Sequence, residues 1–222
     1  FHIEEGRRPV VERTVENYRP NNSKLSDGKL CLITGPNMSG KTTFMKTIGI
    51  LTWLAHVGAP VPAKSFTVPV LKGQFTTINL ADNLKMGYSH FYAEVNRIRE
   101  MALAIKNNGN IMIILDELFR GTNVKDAYEG TLMIVKTLAK IKGTFFFVST
   151  HILEVTEKLL TSEGIDFMCF ESVLRDGEPK YDYKLKSGIS TERVGMQIIK
   201  NENIEVILNE VIKNQKAASG DS

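Results

Sequence analysis

Cysteine is scarce in this chain, tryptophan scarcer, and an apolar run long enough to cross a membrane is absent; each shortage removes a class of protein. Two cysteines among 222 residues, Cys31 and Cys169, cannot build a disulfide framework, and both lie in apolar strand-like runs. They read as buried thiols in a reducing compartment, and they supply no metal cluster. With neither a membrane-length run nor a signal-peptide pattern, the expected location is cytoplasmic. Strong charge is missing too. Lys and Arg number 28 against 25 Asp and Glu, a net +3, which is too mild for a nucleic-acid-binding face, and no basic stripe is interleaved with aromatics. Internal repeats are absent. The sequence starts at Phe1 rather than at methionine, which fits a fragment of a longer polypeptide or a processed chain. What is there, 42% hydrophobic and 24% charged residues, suits a globular protein with one large α/β domain.

The organising stretch runs from Leu30 to Leu51. Leu30, Cys31, Leu32 and Ile33 form a short apolar strand run, a glycine-bracketed loop follows, and a breaker-free segment then carries apolar residues at helical spacing. Between strand and helix, Gly35-Pro36-Asn37-Met38-Ser39-Gly40-Lys41-Thr42 fits the phosphate-binding pattern G-x-x-x-x-G-K-[ST], with Thr43 next in the first helical turn. Glycines at both ends let successive N–H groups converge on phosphate oxygens, and the helix aims its positive end at the same point. Lys41 is then the group that reaches the β- and γ-phosphates. Thr42 is the hydroxyl for Mg²⁺.

Upstream, residues 7–12 read as a short strand entered through Pro9, and Pro20-Asn21-Asn22 as loop. Tyr18 in that loop is compatible with stacking on an adenine and equally with a half-buried loop aromatic. The first long helix reaches about Val57, with Trp53 expected in the core and His56 at the surface or internally hydrogen-bonded. Strand-like runs follow at 65–70 and 74–78. A polar loop from Ala81 leads to a helix whose buried stripe is expected to be Phe91, Val95, Ile98, Met101, Ala102 and Ile105. Ser89 stands at its start, where spacing favours an ordinary N-cap over a second phosphate-binding helix end.

Ile111 to Leu115 is an apolar strand run ending in Asp116-Glu117. A strand-end carboxylate beside a phosphate loop suits Mg²⁺ binding by Asp116, and Glu117 suits the general base that activates water. Thr144 to His151 is another buried strand with a histidine at its polar end. Strand ends line the ligand crevice of open α/β sheets, so His151 is a candidate γ-phosphate sensor. Helices are expected from about Lys125 to Lys140 and up to Leu160. A strand at 165–170, a hairpin turning at Asp176-Gly177, and helix from Glu192 to about Lys213 complete the fold, with a disordered tail over 216–222.

Four separated motifs occur in a telling order: Thr34 to Thr42; Asp82-Asn83-Leu84 through Gly87, Ser89, Phe91 and Glu94; Leu115-Asp116-Glu117 with Arg120-Gly121-Thr122; and Ser149-Thr150-His151. Together they resemble the ATPase domain of the MutS family of DNA mismatch-repair proteins, and the Pro-Asn-Met insert is what marks that family among phosphate-loop proteins. The likeness covers nearly the whole chain. It implies an α/β P-loop NTPase of the ABC-ATPase type, with a mixed, mainly parallel sheet flanked by helices and an antiparallel edge hairpin, over residues 1–215. It further implies ATP and Mg²⁺ as cofactors and a dimer with its nucleotide sites at the subunit interface. In that picture Ser89 reaches the partner's nucleotide, His151 follows the sensor strand, and Tyr18 falls near the aromatic that stacks on adenine. DNA contacts would belong to parts of a parent protein outside this chain.

The chain departs from the family pattern at Arg8, where histidine is usual, at His90, where threonine is usual, and at Leu118-Phe119, where Ile-Gly is usual. These departures point to a divergent paralogue. A rival reading is a nucleotide-gated dimerisation module with negligible turnover. The motor subunit of a membrane transporter shares the fold class but requires an L-S-G-G-Q signature, which this sequence does not contain.

Overall fold

Three strands with unbroken apolar sequences make the centre: β3 (Leu30–Thr34), β6 (Met112–Asp116) and β7 (Phe145–Ser149), every residue of which is buried. Strands without a polar alternate belong where both faces of a sheet are covered. The computed structural model, which describes residues 1–16, 18–26, 29–78, 90–175, 178–190 and 199–219, puts them side by side. The six-stranded sheet has the order β5-β6-β7-β3-β8-β9, with β5 (Gln74–Thr77), β8 (Ile165–Arg175) and β9 (Glu178–Ser187). All its pairings are parallel except β8 with β9 at one edge.

Alternate residues of these strands feed two separate cores. Leu30, Leu32, Ile113, Leu115, Phe146 and Val148 face the helices α3 (His90–Asn108), α4 (Val124–Leu138) and α5 (Leu153–Leu159). Cys31, Ile33, Met112, Ile114, Phe145 and Phe147 face α2 (Lys41–His56), which contributes Phe44, Met45, Ile48 and Leu51. Both cysteines are buried and outside any disulfide, as expected. A second sheet of three antiparallel strands, in the order β2 (Asn21–Lys24), β1 (His2–Gly6), β4 (Ser65–Thr67), packs into this second core through Ile3.

That small sheet is where the sequence reading fails. The strand is β1 (His2–Gly6), and residues 9–12 form a single helical turn, α1 (Pro9–Glu12), because proline without its N–H suits the first helical position. Asn21-Asn22 begins strand β2 (Asn21–Lys24) rather than a loop, and pairing with β1 overrides its poor strand propensity. Only Ser65–Thr67 of the 65–70 run pairs, as β4, before Pro69 removes a donor. Trp53 is 61% exposed instead of buried, since α2 turns Leu51 and Thr52 to the core and leaves Ile50, Trp53 and Val57 outside. In α3, Val95 and Ala102 are exposed, and the buried stripe is Phe91, Glu94, Ile98, Met101 and Ile105 at spacings of three and four. A carboxylate occupies a place the apolar pattern gave to valine.

His56 is satisfied, with Nδ1 against Thr52 O at 2.7 Å and Nε2 accepting from the Leu71 N–H at 2.9 Å. The expected strand at 165–170 continues to Arg175 as one strand with an irregularity between Phe170 and Ser172, and it pairs with β9 as the expected hairpin. The Asp176-Gly177 turn itself lies outside the described residues. The last helix, α6 (Ile204–Ser219), runs past the Lys216 at which a tail was expected. Among the described residues no helix is long and apolar enough to cross a membrane.

Candidate functional site

The carboxyl ends of β3, β6 and β7 lie level, with Ile33 and Asp116 both in register with Ser149. Whatever follows each strand is therefore delivered to one place. After β3 the chain turns at Gly35, where a Cβ would stand 2.6 Å from the Phe170 carbonyl oxygen, so only glycine fits. It then re-enters helix through Gly40 at φ +111°, a left-handed conformation that glycine adopts without strain. The loop holds Lys41 over its own carbonyls. The ammonium donates to Gly35 O at 2.8 Å and Pro36 O at 3.0 Å and lies 3.4 Å from Glu117 Oε1.

Next to it, Thr42 Oγ1 donates to Asp116 Oδ2 at 2.7 Å and Ser149 Oγ donates to Asp116 Oδ1 at 2.6 Å. Ser149 Oγ in turn accepts from the Glu117 N–H at 3.1 Å. Asp116 is thus fixed by two hydroxyls, one of them from the first turn of α2. Glu117 has φ +55°, an uncommon conformation for a residue with a side chain, and it meets three cationic or cation-forming groups: Lys41, Arg120 at 2.5 Å and His151 Nδ1 at 3.4 Å. Burial alone would raise its pKa, but the His151 hydrogen bond and the Lys41 and Arg120 charges outweigh burial and hold the carboxyl at about 2. Burial pushes the Lys41 ammonium below the usual lysine value, with Glu117 opposing.

These groups face a cleft of about 670 Å³. Asn37, Met38, Gly40, Lys41, Thr42 and Thr43 line one end together with Glu117 and His151. Gly35 and Pro36 act through their carbonyls, and Ser39 is buried with its hydroxyl lacking a hydrogen-bond partner. Tyr18 lines the same cleft, its hydroxyl accepting from the Arg8 N–H at 2.8 Å, together with Val11 and Val15. Ser89 lies outside the described residues.

Three contributors were not anticipated in these roles. Arg120, three residues beyond Glu117, pairs with it; only its place in the motif hinted at that. Tyr183 lines the cleft from β9 at φ +54°, its carbonyl accepting from Asn21 Nδ2 at 3.0 Å. No local pattern marks it. Buried Glu94 accepts from the Arg120 and Gly121 N–H groups at 3.3 and 3.4 Å.

Among the described residues no group of three or more His, Cys, Asp or Glu is placed to hold a metal ion. Mg²⁺ does not need one. It keeps several waters and takes one or two protein groups plus phosphate oxygens, and the Thr42 hydroxyl with the Asp116 carboxylate is such a pair.

A family model described as MutS domain V matches residues 31–219. The chain belongs to the MutS family. The DNA mismatch repair protein MutS of Aquifex pyrophilus is 34% identical over 223 residues, covering 99% of this MutS domain and 26% of that protein. MutS of Clostridioides difficile strain 630 is 39% identical over 160 residues, covering 70% of this chain and 17% of that one. DNA mismatch repair protein MutS 2 of Haloarcula marismortui is 29% identical over 213 residues, covering 87% and 22% respectively. The MutS domain described here spans about a quarter or less of the length of these relatives.

Proposed function

We propose that this MutS domain is a P-loop NTPase of the ABC-ATPase type that binds ATP with Mg²⁺ and hydrolyses it. The observation that carries the reading is the convergence of Lys41, Thr42, Asp116, Glu117 and His151 on a single cleft that Tyr18 also lines. Lys41 and the loop N–H groups from Gly40 onward hold the β- and γ-phosphates. Thr42 and Asp116 hold Mg²⁺, which supplies neutralisation of the phosphate oxygens. Glu117 takes the proton of the attacking water, His151 senses the γ-phosphate, and Tyr18 stacks on adenine, while the Tyr183 ring lies against Gly40. A carboxylate held at about 2 is a weak base. Phosphates that draw Lys41 away remove one of the charges keeping it there.

That pinned Glu117 also favours a second reading, in which ATP gates dimerisation and turnover is negligible. Steady-state hydrolysis with Mg²⁺, measured over a range of protein concentrations, separates the two. Turnover that rises more steeply than linearly until dimers saturate supports an ATPase completed by association; binding without turnover at any concentration supports the gate.

The family resemblance extends the reading to a homodimer in which Ser89 completes the partner's site, and to coupling of nucleotide state to a DNA clamp in the parent protein, with DNA bound by regions beyond this chain. Mixing tests the composite site. A Ser89→Ala chain retains its phosphate loop and a Lys41→Ala chain retains its Ser89, so the mixed dimer holds one intact site and should recover activity that neither shows alone. Merely additive residual activities, with both variants dimerising normally, would confine Ser89 to its own subunit.

A further inference from the structure

Glu94 is 7% exposed on a helix face otherwise apolar. Burying a carboxylate is costly unless specific bonds compensate, and one loop supplies two of them: the Glu94 oxygens accept the backbone N–H groups of Arg120 and Gly121. Phe91, three residues earlier and therefore on the same face of α3, reaches the same loop, its ring 5.8 Å from that of Phe119. Phe119 sits at φ +59° and its ring lies so close to Gly130 of α4 that a Cβ there would stand 2.9 Å away. The loop between Glu117 and Gly121 is thus strained in its backbone and gripped on both sides. From it Arg120, 44% exposed, extends its guanidinium to the buried Glu117 carboxylate.

We infer that Glu94 is a positioning residue for hydrolysis: with Phe91 it makes the start of α3 a clamp on the Arg120-Gly121 backbone, and so sets the Arg120 guanidinium that fixes where the Glu117 carboxylate points, a matter of orientation and not of basicity. This rests on the ATPase reading above. Phosphate binding is served by other elements, the loop after β3 and the start of α2, so the clamp bears on hydrolysis and not on affinity. A shift of the start of α3 reaches Glu117 through four residues.

The test compares Glu94→Ala and the isosteric Glu94→Gln with the wild-type chain by four measurements: amide hydrogen exchange at Arg120 and Gly121, titration with a fluorescent ATP analogue, single-turnover hydrolysis, and Tm. In Glu94→Ala the two amides should exchange roughly tenfold faster or more, as expected for losing a charge-assisted acceptor. Hydrolysis should fall by about the same factor while nucleotide affinity stays within about twofold. Glu94→Gln keeps one carbonyl acceptor and should lie between, which also covers the case of an alanine variant that does not fold. Unchanged exchange at both amides overturns the inference. So does faster exchange with unchanged hydrolysis, or an affinity loss that matches the loss of hydrolysis, the mark of a merely structural role. A wild-type chain that binds but never hydrolyses ATP overturns the ATPase reading and the inference together, whereas a hydrolysing wild type with indifferent variants overturns the inference alone.

Discussion

At the phosphate end of the cleft the key side chains fix one another, whereas at the base end Tyr18, Val11 and Val15 ride on a one-turn helix and a loop. Lys41, Thr42, Asp116 and Ser149 follow or close buried parallel strands, and their bonds run in a chain from Gly35 to Glu117. The base end is assembled from β1–α1, the edge of the small sheet and the edge hairpin, joined by Asn21, which donates to Tyr183 O and accepts from the Leu185 N–H at 2.7 Å. Under the proposed ATPase reading, the preorganised charges bear on hydrolysis and the half-buried aromatic wall bears on affinity. Each end should therefore fail in its own way.

The largest effect is expected at Glu117. Glu117→Gln should bind ATP yet hydrolyse it about 10²–10⁴-fold more slowly in single turnover, because an amide cannot accept the water proton. Wild-type rates in that variant would remove Glu117 from its role. Lys41→Ala should weaken ATP binding about a hundredfold or more in calorimetry, since truncating one side of a buried charge contact costs about 2–5 kcal/mol; unchanged affinity would take the ammonium off the phosphates.

A third effect concerns acid. Glu117 has a folded pKa of about 2, depressed from an ordinary 4.5, so the stabilisation it brings is present above the unfolded value and is lost as pH falls through the window between them. The stability difference between wild type and Glu117→Gln, on the order of 3 kcal/mol at neutral pH, should shrink from about pH 5 downward. Denaturant titrations that give parallel pH profiles would contradict the cation cluster around Glu117.

The smallest effects belong to the base end. Tyr18→Ala should cost about 1–3 kcal/mol of nucleotide affinity with single-turnover hydrolysis nearly unchanged, as for a lost stacking platform. Tyr18→Phe, which keeps the ring and loses the hydroxyl that meets the Arg8 N–H and the Thr47 side chain, should cost about 1 kcal/mol in folding stability. A Tyr18→Ala chain that binds normally but hydrolyses slowly would erase the contrast between the two ends.

The same contrast explains what was legible in the residues. The phosphate loop, Asp116-Glu117 and His151 are each contiguous with an apolar strand run, so motif and setting are read together. β1, β2 and the contacts of Asn21 and Tyr183 depend on pairings between segments up to 164 residues apart, and short polar strands carry no periodic signal of their own. Glu94 was hidden differently. The apolar stripe passes through Val95 because carboxylates normally stay outside, and bonds such as those from the Arg120 and Gly121 N–H groups make Glu94 an exception. At Phe119 the sequence shows a bulky residue where the family usually has glycine, and nothing in its own neighbourhood reveals that Gly130, eleven residues on, leaves room for the ring.

Trp53 is the one tryptophan in the chain, and it stands in the open on the helix that begins at the phosphate loop. Its emission is therefore a single-source signal with a water-exposed baseline, free of the overlapping contributions that blur such spectra in most proteins. A partner that covers this side of α2 would shift the band to the blue and shield it from a soluble quencher, while nucleotide entering the cleft, whose lining does not include Trp53, should leave both nearly unchanged. The molecule carries its own optical reporter, tuned to contacts on its outer surface rather than to its ligand.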